Sequence, residues 1–355
     1  MRIVQLIDSL EAGGAERMAV NYANALVKEV KFSGLVATRK EGSLVNQINP
    51  NVFYLFLNKR GKLDFRALFR LRSFVLKNKV THLHAHSTSF FFAFLLKLIL
   101  PSLLIIRHDH YGNNEFLATR PSLILKRTAS FFKGVIAVNQ NLKNWSENVV
   151  KANNVIYLPN FPIEETNVVN QTVLMGIHEK RIISLANLRE QKNHFLLLNV
   201  AKKLKKTNPD WTFHLIGKDF EDEYAIQIKK LIEEYDLKNN VFLYGSKEDV
   251  GHILDQASIA ILTSKSEGLP VALLEYGLYK KAVVVTQVGE IPMIVQNGKN
   301  GFIVETERSD LFYQALVNLI ENETLRVDFG KALFDTIQTE YAEESVMKKY
   351  LNWLK

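Results

Sequence analysis

Residues 258–277 read Ser-Ile-Ala-Ile-Leu-Thr-Ser-Lys-Ser-Glu-Gly-Leu-Pro-Val-Ala-Leu-Leu-Glu-Tyr-Gly. A buried-looking run at 258–263, a polar turn and an apolar helix follow one another without a break. Gly268 lets the chain turn after the strand, and Pro270 suits the first helical position, where its missing N–H costs nothing. A helix begun this way offers backbone N–H groups and a positive dipole end to an anion, with Gly268, Leu269 and Pro270 shaping the cradle. Glu267 stands at the lip of that site and Glu275 about a turn and a half deeper. Donors for a phosphate beside carboxylates for hydroxyls suit a ligand carrying both phosphate and sugar. The same two glutamates would also suit an exposed loop and a solvated helix face.

The strand–turn–helix unit is one of many. Short β-branched runs recur at 3–7, 35–37, 52–55, 81–84, 103–107, 135–138 and 155–157, then at 182–185, 212–216, 241–244, 259–262, 282–285 and 301–304. Helical patterns fill the gaps, as at 16–27, 63–77, 194–205 and 224–235. Such alternation predicts parallel sheets flanked by helices, an α/β chain. The weakly structured stretch 161–179 marks an inter-domain linker. Two doubly wound, Rossmann-like domains facing across a cleft are expected, with ligands at the carboxyl ends of the strands.

Composition narrows the function. The 355 residues include no cysteine, which removes disulfides and thiolate chemistry and fits a reducing compartment. The first residues reach Asp8 too early for a secretory signal and read better as a strand. The greasiest segment, 90–106, is interrupted by Lys97, Pro101 and Ser102 and is too short to span a bilayer. Residues 1–160 hold 22 Lys and Arg against 9 Asp and Glu, a net of +13; residues 161–355 hold 23 against 28, a net of −5. A basic first half implies an anionic partner. No nucleic-acid recognition motif accompanies the charge, so an anionic membrane surface or a phosphate-bearing acceptor is expected instead.

Two further turns fall where such sheets bind ligands. Glu11-Ala12-Gly13-Gly14-Ala15-Glu16-Arg17 follows the first strand into a helix, its paired glycines permitting unusual backbone angles and close approach of a phosphate or acceptor. It lacks the G-x-G-x-x-G fingerprint of nicotinamide enzymes. After the strand at 182–185 comes Ala186-Asn187-Leu188-Arg189-Glu190-Gln191-Lys192-Asn193-His194, whose cations can neutralise a pyrophosphate. An ordinary solvated loop would read the same way.

Taken in order and spacing, GGAER (13–17), ANLREQKNH (186–194), SEGLPVALLEYG (266–277) and NGKNGFIV (297–304) resemble the retaining glycosyltransferases of the GT-B fold, family 4. The Glu-x7-Glu pattern of Glu267 and Glu275 is that family's hallmark. The resemblance implies an acceptor-binding domain over 1–165, a nucleotide-sugar domain over 166–340, and a closing helix over 341–355 packing back on the first. It implies that Glu275 holds the ribose and that Glu267 lies by the transferred sugar. Lys192 would meet the phosphates, the Gly13-Gly14 turn with Glu16 would lie near diphosphate and acceptor, and His108 would be an active-site histidine.

The donor implied is a nucleotide-diphospho-sugar, UDP first among the bases, and the acceptor a saccharide or lipid-linked saccharide of cell-surface glycan assembly. No metal or cofactor is expected, because cations and dipoles stabilise the leaving diphosphate in such enzymes. Two departures stand out. Asn187 replaces the family's usual Arg, so that either Arg189 supplies the charge from two residues further along or the site is weaker; and Glu290 and Met293 replace a glycine and an acid. Three other readings accompany the resemblance: a nucleotide-sugar epimerase, a phosphorylase of the same fold, or a non-catalytic partner subunit.

His82, His84 and His86 lie two apart, a spacing that puts them on one face of a strand, and His108 and His110 repeat it. No clear set of three or four metal ligands follows, and structural or acceptor-binding roles are expected. From Lys59 to Lys79, basic residues alternate with Leu63, Phe65, Leu68, Phe69, Leu71, Phe74 and Val75. This helix suits an anionic leaflet on one reading and a sheet-packed face on the other. A cytoplasmic protein, peripheral on the inner face of the plasma membrane, is the expected setting.

Overall fold

A computed structural model describes residues 1–11, 13–164 and 169–355. The chain divides into two compact units, one of Met1–Phe161 with Glu343–Lys355, the other of Pro162–Ala342. A boundary at 165/166 falls on residues 165–168, outside the described residues. The stretch expected to be weakly structured is anchored in the second unit beyond that point: Asp249 accepts hydrogen bonds from the backbone N–H groups of Gln171 and Thr172 and from the Thr172 hydroxyl.

Strands of the first unit are β1 (Arg2–Ser9), β2 (Phe32–Lys40), β3 (Phe53–Phe56), β4 (His82–His86), β5 (Leu104–Asp109), β6 (Gly134–Ala137) and β7 (Val155–Tyr157). They form one sheet, ordered β3-β2-β1-β4-β5-β6-β7, and every pairing is parallel. The second unit holds β8 (Arg181–Leu185), β9 (Thr212–Ile216), β10 (Val241–Gly245), β11 (Ile259–Leu262), β12 (Ala282–Thr286) and β13 (Phe302–Val304). Their order, β10-β9-β8-β11-β12-β13, is again wholly parallel. Parallel strands need crossovers, and helices on both faces bury them, which is why most of their sequences are apolar runs.

The strand order of each sheet reverses once, between β1 and β4 and between β8 and β11. At such switch points the loops leave in opposite directions and open a crevice. The first helix, Gly14–Ala25, starts beside one of them, and the loops 186–193 and 263–270 border the other. Among the described residues no helix is long and apolar enough to cross a membrane.

One face of the first sheet is unusual. Gln5 on β1, His84 and His86 on β4 and His108 on β5 are fully buried there. Tyr22, from Gly14–Ala25, and Tyr350, from the C-terminal helix Glu343–Leu354, cover them. The opposite face is apolar and packs the helices Phe65–Lys77 and Phe90–Ile99 through Leu68, Leu71, Val75, Phe92 and Leu96.

Candidate active site

Three loops of the second unit converge on Glu267. Its Oε1 accepts from the Ser264 hydroxyl and from the Lys192 ammonium, both at 2.6 Å. Lys192 belongs to the loop after β8, 75 positions earlier, and backbone contacts fix it there. Thr263 Oγ1 donates to the Lys192 carbonyl at 2.9 Å, Lys265 N–H to the Gln191 carbonyl at 2.8 Å, and Gln191 Nε2 to the Ser266 carbonyl at 2.8 Å. Asn193, left-handed at φ 52°, turns the chain from this loop into the helix His194–Thr207. The third loop, after β12, backs the turn: Glu290 N–H donates to the Gly268 carbonyl at 3.0 Å, and Thr286 Oγ1 to the Ser264 carbonyl at 2.7 Å.

Gly268, Leu269 and Pro270 are buried in this turn. The left-handed glycine here is Gly289, at φ +55°, rather than Gly268. A Cβ on Gly289 would collide with the Glu267 carbonyl, so only glycine lets the two loops approach. Pro270 is the N-cap of the helix Val271–Leu278, one position before the expected first helical residue, and no side chain caps that helix. Glu275 is the fifth residue of the helix and is nearly buried, at 9% exposure. Both glutamates are therefore inside the second unit, which removes the reading of an exposed loop and a solvated face.

The remaining residues singled out in this unit have their own partners. Arg189 stacks its guanidinium on the Phe220 ring at 4.5 Å. Asn187 Oδ1 accepts from Lys218 N–H at 2.7 Å and ties the ends of β8 and β9 together. Met293 is exposed on the short helix Ile291–Ile294, whereas Glu290 is nearly buried.

In the first unit, Gly13 is the N-cap of Gly14–Ala25 with φ −172°, extended backbone open to any residue. The unusual backbone angle expected there does not occur. A Cβ there would meet only the carboxylate end of the Glu16 side chain, which can swing aside. Ala12 lies outside the described residues.

His108 requires a correction. It is fully buried, its Nδ1 lies 3.0 Å from His84 Nε2, and its Nε2 has no hydrogen-bond partner. Burial and neighbouring imidazoles hold it well below the ordinary pKa, so it is a neutral core group that cannot touch a substrate. β5 ends at Asp109, and His110, one residue beyond, is the partly exposed member of the pair. Ring nitrogens of His84, His86 and His108 lie within 4.8 Å of one another, the one group among the described residues that could hold a metal ion. Those of His84 and His86 are already engaged by hydrogen bonds with Tyr350, His108, Gln5 and His110.

Sequence reasoning missed Ser264 and Gly289. Thr263-Ser264 closing a strand and Gly289 after β12 were visible signals, but only contact across loops gives them meaning. It also missed Asp109, which Arg107 and Arg120 grip inside the first unit; their charge holds its pKa down to about 2 against the cost of burial.

A wholly parallel pair of doubly wound units, with a carboxylate–ammonium pair at a switch point, is the architecture of GT-B sugar transferases. The family model described as Glycosyl transferases group 1 matches residues 176–334, and that described as Glycosyltransferase Family 4 matches residues 12–161. The chain belongs to the group 1 glycosyltransferases. It is 25% identical over 322 residues to an uncharacterized glycosyltransferase of Haemophilus influenzae, covering 88% of each chain. It is 27% identical over 175 residues to a poly(ribitol-phosphate) α-N-acetylglucosaminyltransferase of Staphylococcus aureus, covering 49% of this chain and 35% of that protein. The structure of Anabaena HepE with UDP and glucose superposes with a TM-score of 0.79 at 15% identity, over 100% of this chain and 99% of that one.

Proposed function

We propose that this glycosyltransferase is retaining and metal-independent and moves a sugar from a UDP-sugar to a saccharide or lipid-linked saccharide acceptor. The observation that carries the reading is the Lys192–Glu267 pair, held beside an uncapped helix start with Glu275 in its second turn. In this reading Glu275 accepts from the ribose hydroxyls. Lys192 transfers its contact from Glu267 to the diphosphate, where a charge-assisted bond is worth about 1.5–3 kcal/mol. Glu267, released from that ion pair but still held by Ser264, faces the sugar and steadies positive charge at the anomeric carbon. The Gly13-Gly14 turn and Glu16 take the acceptor side.

UDP as the nucleotude carrier is supported by the HepE complex, and a polymeric phosphate-bearing acceptor by the Staphylococcus relative. The +13 charge of residues 1–160 fits an acceptor presented at an anionic cytoplasmic membrane face. Calorimetric titration with UDP, GDP and ADP tests the donor site. UDP is expected to bind best, with Glu275→Ala and Lys192→Ala each weakening it on the order of tenfold to a hundredfold. Failure of all three diphosphates to bind would overturn the reading in favour of a non-catalytic partner subunit.

A further inference from the structure

We propose that Gln5 and His86 are positioning residues that fix the tautomer of His110, so that His110 presents a bare Nδ1, a hydrogen-bond acceptor, at the carboxyl edge of the first sheet. The direction follows from two contacts. Gln5 Oε1 lies 2.8 Å from His86 Nε2, and His86 Nδ1 lies 3.0 Å from His110 Nε2. An amide oxygen only accepts, so His86 Nε2 carries the hydrogen. A neutral imidazole carries one such hydrogen, so His86 Nδ1 is bare and accepts. His110 Nε2 must then be the donor, and His110 Nδ1 is left without a hydrogen.

Two observations support neutrality along this chain. Gln5 and His86 are fully buried, and burial pushes the pKa of His86 well below the ordinary value and that of His110 down to about 4. The rings are also clamped: His86 and His110 stack with centroids 5.2 Å apart and planes 16° apart, and His84 stacks on His86 at 4.4 Å. A rotation of His110 would break both the stack and the hydrogen bond, so the outward nitrogen is set in position as well as in protonation. Among the described residues Nδ1 of His110 makes no hydrogen bond, and the residue is partly exposed just beyond β5.

What Nδ1 accepts from rests on the transferase reading: a sugar hydroxyl of donor or acceptor, for which a bare nitrogen is a partner and a protonated one is not. The relay itself does not rest on that reading, and the test separates them.

Long-range proton–nitrogen correlation spectra of the full chain, labelled with 15N-histidine, report which ring nitrogen is protonated, and His110→Gln assigns the resonance. The Nε2-protonated form of His110 is expected in the wild type. It should persist in His86→Asn, whose Oδ1 replaces the accepting nitrogen, and become a mixture of tautomers in His86→Leu and Gln5→Leu. Melting curves identify any variant that fails to fold, and His86→Asn then carries the comparison. An Nδ1-protonated His110 in the wild type, or an unchanged tautomer in folded Gln5→Leu, would overturn the proposal. Nucleotide binding, which belongs to the second unit, should be the same in all these variants; its loss in the wild type would fail the transferase reading and leave the tautomer result standing. Where transfer is measured, kcat should fall about tenfold in His86→Leu with KM for the donor nearly unchanged, and recover in His86→Asn.

Discussion

Ser264, Lys192 and Glu267 meet at one carboxylate oxygen, and what holds that oxygen in place is mostly backbone. The Glu267 carbonyl faces Gly289, whose φ of +55° and missing side chain let the loop after β12 press against the turn. Gly289→Ala therefore carries two penalties, a left-handed backbone and a Cβ that must displace a carbonyl. We expect a loss of stability on the order of 2 kcal/mol or more, seen as a lower melting temperature. UDP binding should weaken as well, because the displaced carbonyl moves Glu267 off Lys192. Gly298, also left-handed at φ +74° but with open space around it, is the control: Gly298→Ala should cost backbone strain alone and leave UDP binding unchanged. Equal UDP affinity in Gly289→Ala and the wild type would mean that this contact does not position Glu267. At this scale the sequence spoke unevenly. Glu267 and Lys192 stood out because each follows a strand at a turn, and Glu275 because it stands eight positions after Glu267 in the same strand–turn–helix unit. Ser264 and Gly289 were not, because their roles arise between loops that sequence separation hides. His108 misled because a spacing of two puts it on one face with His110, whereas only the end of β5 decides which of them meets solvent.

The helix Phe65–Lys77 packs one face on the sheet and leaves another open. Asp64 caps it, accepting from Ala67 N–H at 3.0 Å, and Ala67, Leu68, Leu71 and Val75 face the sheet. Phe65, Phe69 and Leu76 nonetheless remain 64%, 59% and 48% exposed, among Arg66, Arg72 and Lys77. With a period of 3.6, positions 65, 69, 72 and 76 form one outward stripe. An apolar stripe flanked by cations is what an anionic leaflet would hold, each buried Phe contributing about 1.5–3 kcal/mol. In co-sedimentation with phosphatidylglycerol vesicles, Phe65→Ser with Phe69→Ser should weaken binding at least tenfold, and added salt should weaken the wild type further. Retention of full binding by the double variant would exclude this helix as the contact. The strands, by contrast, were legible throughout: all thirteen runs overlap strands, most of them apolar and buried on both faces, while β4 alternates histidine with Leu and Ala. Helix ends were read less closely, since Pro270 caps Val271–Leu278 from outside instead of beginning it.

Across the whole molecule, seven imidazoles are held in the neutral form by burial. His82, His84, His86, His108 and His110 belong to the first unit, and His194 and His214 to the second. His82, His110 and His194 are pushed down to about 4 and His214 to about 3, against an ordinary value of 6.5. Below pH 6.5 the unfolded chain therefore binds protons that the folded chain refuses, and stability falls as the pH falls. Above 6.5 both states are neutral and the effect vanishes. The buried carboxylate works in the same direction but lower down: Asp109, held to about 2 by Arg107 and Arg120, loses its contribution only as the pH drops below its ordinary 3.8. Asp109 enters only below 3.8, so the histidines alone govern the region between 6.5 and about 4. Each neutral imidazole adds up to about 1.4 kcal/mol per pH unit to the slope there. Melting temperatures should be level from pH 8 to 7 and fall steeply from 6.5 to 4.5, and because both units hold such histidines, each should lose stability. His214 stacks on Phe242 with centroids 5.6 Å apart, so His214→Phe keeps an aromatic ring and removes one titrating group. Its slope should be shallower by close to one proton, measured as the pH dependence of unfolding free energy in urea. A slope identical to the wild type's would show that His214 is protonated equally in both states and would remove burial as the cause.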